Sequence, residues 1–142
     1  MKNKILFLMI IGVLFSCNNN DDNYTENELV GIWKLIQMTG SIPNSETSGA
    51  EMEWQETYVL NANGTFLKSR DRDGITTEVS GTYNFINNSN EPLIELNFDT
   101  ESEIIGSCTS NRKETMNLQS ETIFLSSWEA CDGPGLKYEK IN

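Results

Sequence analysis

The residues of this chain with the most evident chemistry are three cysteines: Cys17, which ends an apolar run near the N-terminus, and Cys108 and Cys131, far downstream. An exported chain meets an oxidising compartment. There Cys108 and Cys131 are expected to pair, a link worth roughly 3 kcal/mol, with two free thiols as the alternative. Histidine is absent, which removes the usual general base near neutral pH and the commonest metal ligand. No Gly-x-Ser-x-Gly occurs. The expectation is therefore no enzyme and no catalytic residues, a carboxylate-pair hydrolase being the one route left open. Asp71-Arg72-Asp73-Gly74 alternates oxygen ligands as a calcium loop does, but an EF-hand register needs a bidentate Glu where Ser80 stands. A charged hairpin is the better account, and no metal or cofactor is expected. The formal net charge of −11 repels phosphate backbones and anionic lipid heads, so nucleic acid is not an expected partner.

Stepping outward from Cys17, the leader reads MKNKILFLMIIGVLFSC, with Lys2 and Lys4 before an apolar run from Ile5 to Phe15 broken only by Gly12. Such a run is about 16 Å long as a helix, and a bilayer core of roughly 30 Å needs about twenty residues. It reads as a secretory signal, not a membrane span. Leu14-Phe15-Ser16-Cys17 resembles the lipobox of bacterial lipoproteins. Phe15 departs from the small or aliphatic residue usual there, and an ordinary signal with Cys17 as a bystander is the alternative. The resemblance implies diacylglycerol on the Cys17 sulfur and an acyl chain such as palmitate on its amino group, enough to hold the protein durably to a membrane. It divides the chain into a signal peptide, 1–16, an acidic tether, 17–28, and a folded domain, 29–142. The acidic, Asn-rich stretch after Cys17 resembles the surface-export signal of Bacteroidota lipoproteins, implying an outer-membrane and cell-surface address. A plain solvated spacer accounts for it equally well.

From Leu29 onward, apolar residues recur with period two between Gly, Asn, Asp and Ser punctuation, the pattern of β-strands. Candidate strands are 29–38, 52–61, 65–70, 75–86, 93–98, 104–109, 114–119, 122–127 and 136–141. Asn63-Gly64 and Asp73-Gly74 are dipeptides favoured where hairpin residues take positive φ. The fold class is all-β. Its expected form is an antiparallel up-and-down meander closing into a barrel of about eight strands, because closure removes exposed edges.

Leu29-Val30-Gly31-Ile32-Trp33-Lys34-Leu35 carries a Gly-x-Trp in the first strand, where lipocalins have theirs. Tyr58-Val59-Leu60, Asn63-Gly64-Thr65-Phe66, Ser80-Gly81-Thr82-Tyr83 and Lys137-Tyr138-Glu139-Lys140-Ile141 follow in an order similar to the lipocalin-like domains of Bacteroidota lipoproteins, over nearly the whole chain after the leader. The resemblance implies a barrel whose closed end is plugged by Gly31 and Trp33, with Lys137 or Lys140 over the indole where the family usually has Arg.

Alternation then sets faces. Met52, Trp54, Tyr58 and Leu60 share one side with Glu56; Ile75, Thr77, Val79, Gly81, Tyr83 and Phe85 share another; Trp33, Phe66, Leu96, Met116 and Leu118 complete the expected interior. Trp54, Glu56, Tyr58, Phe66, Tyr83 and Met116 are the candidate lining for a small amphipathic or hydrophobic ligand. The same residues would also serve simply to fill the core, and Glu56 would also suit a bulge facing water. The alternative function is a filled, monomeric barrel that binds protein, as an accessory or inhibitor module, through rim loops around Ser41 to Ala50 and Ser102 to Arg112.

Overall fold

Period-two alternation survives into the structure almost strand by strand. The computed structural model describes residues 25–88, 91–109 and 111–141; the leader, Cys17 and most of the expected tether lie outside them. Nine strands follow in chain order: β1 (Gly31–Thr39), β2 (Thr47–Ser48), β3 (Gln55–Leu60), β4 (Thr65–Arg72), β5 (Ile75–Ile86), β6 (Leu93–Phe98), β7 (Lys113–Ser120), β8 (Ile123–Ser126) and β9 (Gly135–Ile141). Each of β3 to β8 pairs antiparallel with the next strand in sequence. β1 pairs with β3 on one side and with β9 on the other, so the sheet closes into an eight-stranded antiparallel barrel. β2 is an extra strand of two residues, paired with β1 at Gln37 and Met38. Among the described residues, closure leaves no long unpaired edge to recruit another chain.

The pairing separates the two ends. Leu60 lies opposite Gly31 and Ile141 opposite Ile32, so both ends of the described chain meet at one end of the barrel with the 60–65 hairpin. The loops 40–54, 73–74, 99–112 and 127–134 gather at the other. The Asp73-Gly74 turn has positive φ at both residues, 55° and 76°, as the hairpin dipeptide predicts.

Trp33 closes the first end. It is fully buried, its ring centroid is 4.4 Å from that of Phe124, and its Nε1 donates to the Leu29 carbonyl at 2.9 Å. Leu29 belongs to one helical turn, α1 (Glu26–Leu29), and not to the first strand or a loose tether. Glu28 anchors that turn by accepting from the Thr25 N–H at 2.6 Å. Of the two candidate cations, Lys140 takes the place over the indole, with Nζ 6.0 Å from the ring centroid and bonded to the Glu28 carbonyl at 2.5 Å. Gly31 makes room for it. Its φ is 145°, and a β-carbon there would meet Lys140 Cε at 2.8 Å.

Two expectations are corrected. Residues 104–109 form no strand, because β6 pairs directly with β7 and the chain between them runs as a loop. Ile75 does not face the core: β4 and β5 project beyond the barrel rim, and Ile75 is 69% exposed at their tip.

Candidate functional site

Inward positions of neighbouring strands decide what fills the upper half of the barrel. On β4 the alternation Phe66, Lys68, Arg70 turns two cations inward, at 1% and 6% exposure. Glu56 lies opposite Arg70, and Tyr58 opposite Lys68, on β3; Glu114 comes from β7. All are buried, so each charge needs a partner within the barrel. Arg70 Nε donates to Glu56 Oε2. Lys68 Nζ lies 2.7 Å from Glu114 Oε1 and 3.3 Å from Glu56 Oε1, bridging the carboxylates. Tyr58 donates to Glu114 Oε2 and Tyr138 to Glu56 Oε1, each at 2.5 Å. Two carboxylates and two cations balance, and the tyrosines take remaining lone pairs.

Burial raises the pKa of Tyr58 well above the phenol range, and the adjacent Glu114 carboxylate adds to it. Burial does the same to Tyr138, helped by Glu56. A phenolate would sit dry beside two carboxylates. Both hydroxyls are therefore proton donors held neutral.

The loop between β6 and β7 covers this layer from the rim side. The Ile104 carbonyl accepts from Lys68 Nζ at 2.6 Å and from Arg70 Nη2 at 3.2 Å. Two residues on, the Gly106 N–H donates to Glu114 Oε1 at 2.5 Å. Ile104 is buried, and Ile105 packs partly buried against the core. Beyond it, Cys108 and Cys131 stand at disulfide distance, with 5.4 Å between Cα atoms. Trp128, in the short 3₁₀ turn Ser127–Cys131, lies against Gly106: a β-carbon there would meet its ring at 2.6 Å. Beside the loop, a cleft of about 310 Å³ opens between Arg70, Arg72, Ile75, Thr77, Glu103 and Ile104.

Of the six residues expected to line a ligand cavity, Glu56 and Tyr58 belong to the charged layer. Phe66 lies below it, with ring centroids 6.3 Å from Tyr58 and 4.9 Å from Phe98. Met116 is buried in the same core. Trp54 sits apart, near the rim, with the Arg70 guanidinium 4.1 Å from its ring centroid and its buried Nε1 without a hydrogen-bond partner. Tyr83 points to the other end, where its hydroxyl donates to the Asn61 carbonyl at 2.8 Å. Glu56 is 2% exposed, so it does not face water on a bulge; irregularities fall instead on β1, between Leu35 and Gln37, and on β7, between Leu118 and Ser120.

Lys68, Arg70, Glu114 and Tyr138 were not among the candidates. The signal for them was present: the same step of two that turns Phe66, Met116 and Leu118 inward carries Lys68, Arg70 and Glu114 with them. A charged side chain ordinarily marks a solvated position, and that prior concealed the pattern. No protein-family model, curated protein or solved structure matches this chain.

Proposed function

We propose that this chain is a lipoprotein of the outer membrane, held by lipid on Cys17, whose lipocalin-like barrel is filled by its own side chains and binds a protein partner through the loops of the open rim. The observation that carries this reading is the occupied interior. Both oxygens of Glu56 and of Glu114, and the hydroxyls of Tyr58 and Tyr138, already have protein partners. A small molecule at that depth would have to displace them. The path of the chain adds support: the first described residues, from Thr25, lie at the closed end, opposite the rim. Two isoleucines stand out at the rim, Ile42 in a loop and Ile75 at the tip of β5, at 72% and 69% exposure. In the exported protein Cys108 and Cys131 would be joined, fixing one rim loop.

Two measurements test this. Labelled palmitate fed to the producing cells should mark the wild-type chain and not a Cys17→Ala variant; equal labelling removes the anchor from the reading. A photoreactive side chain placed at position 42 or 75 should crosslink to a protein on the cell, while one at position 62, in the closed-end hairpin, should not. Equal yields from both ends would overturn the rim assignment.

A second reading rests on the cleft beside Ile104. Its size and its mixture of Arg70, Arg72 and Ile75 suit a small amphipathic molecule held at the mouth. Native mass spectrometry of protein taken from cells would reveal such a ligand as an added mass lost on denaturation.

A further inference from the structure

The loop over the mouth meets the barrel as a bound peptide meets a receptor. It sits there as a turn, with the Ile105 N–H donating to the Ser102 carbonyl at 3.2 Å; the Ile104 carbonyl meets two cations, the Gly106 N–H meets a carboxylate, and the Ile104 side chain is buried. The receiving groups come from β4 and β7, far from the loop's own centre in sequence for Lys68 and Arg70, 36 and 34 residues from Ile104. Nothing in the pairing of β6 with β7 requires these contacts, since the two strands register directly without the loop.

We propose that the mouth of the barrel is a binding site for a peptide that enters as a turn, and that residues 103–106 fill it as an internal occupant. The proposal rests on the protein-partner reading above and narrows it. The partner presents an aliphatic residue whose carbonyl replaces that of Ile104 on Lys68 and Arg70. The residue two places later must have a free amide N–H for Glu114 and must be small, because Trp128 lies against Gly106. The cleft of about 310 Å³ at Ile104 and Glu103 gives room for the residues that precede it. Exchange is a competition: a tethered loop acts at an effective concentration in the millimolar range, so an outside peptide binds well only when the loop is weakened or the partner adds contacts on the rim.

The test uses the purified full chain and the blocked peptide acetyl-Ser-Glu-Ile-Ile-Gly-Ser-amide, which copies residues 102–107, with binding read by calorimetry. In an Ile104→Gly variant the internal occupant loses its side chain, and the peptide should bind at least tenfold more tightly than to the wild type. Methylating the peptide's glycine nitrogen, or replacing its first isoleucine by aspartate, should each weaken binding at least tenfold. Should Ile104→Gly fail the circular dichroism check for a folded barrel, Cys108→Ser frees the same loop from Cys131 and the comparison is made there. A folded variant that ignores the parent peptide, or that binds the N-methyl form equally well, overturns the proposal. Rim crosslinks that persist in that case leave the partner reading standing; their loss would remove that reading instead.

Discussion

Among single residues, the two buried tyrosines set the response to alkali. In the native barrel Tyr58 and Tyr138 hold their protons well above the usual phenol value of 10.0, while in the unfolded chain both ionise near it. Above that pH the unfolded state binds fewer protons than the native one, so stability falls as pH rises. It is fully present below about pH 10 and drains away toward the native pKa. Denaturant midpoints measured between pH 8 and 11 should therefore decline, and Tyr58→Phe should make the decline shallower. The ion pairs carry a larger risk. Glu56→Gln leaves Arg70 and Lys68 short of a charge in a dry interior, and unfolding experiments should register a loss of about 3–5 kcal/mol. By contrast, the exposed pair Arg72–Glu53 is half in water, and replacing Glu53 by Gln should change stability by less than about 1 kcal/mol.

At the level of elements, legibility followed from how many constraints a segment satisfied. The hairpins at Asn63-Gly64 and Asp73-Gly74 were readable because turn chemistry and alternation agree there. β5 and β6 match their expected bounds for the same reason. Residues 104–109 misled because Ile104, Gly106 and Cys108 alternate as a strand would, yet Ile104 and Gly106 are buried against the barrel mouth within a loop and Cys108 is exposed. Alternation records which residues are dry, and a loop pressed onto a core dries every second residue as well as a sheet does. β2 was unreadable, having only two residues, and so was α1, a single turn held by Thr25 and Glu28. Gly31→Ala tests the local fit at the start of β1: a positive φ and the approach of Lys140 should together cost about 1–3 kcal/mol, seen as a lowered thermal midpoint with the barrel's circular dichroism unchanged.

For the whole molecule, closure between β1 and β9 is the strand pairing of longest reach, joining Ile32 to Ile141. Pairings so distant in sequence are slow to find, and refolding should take milliseconds to seconds, not microseconds. The barrel architecture as a whole was legible, because the only economical way to satisfy so many short antiparallel strands is to leave no edge. Its apolar filling was legible too, but the charged layer around Glu56 was not, since the charges of Lys68, Arg70 and Glu114 gain meaning only once strands far apart in sequence face one another. That same closure has a mechanical side. A pull between the N-terminal end and a rim-bound partner runs along the strand direction. β1 is gripped on both flanks, by β3 and β9, so its ladder bonds would have to shear together and could not unzip one at a time. A tug that would peel an open sheet from its border meets, in this chain, a cylinder with no seam to start from.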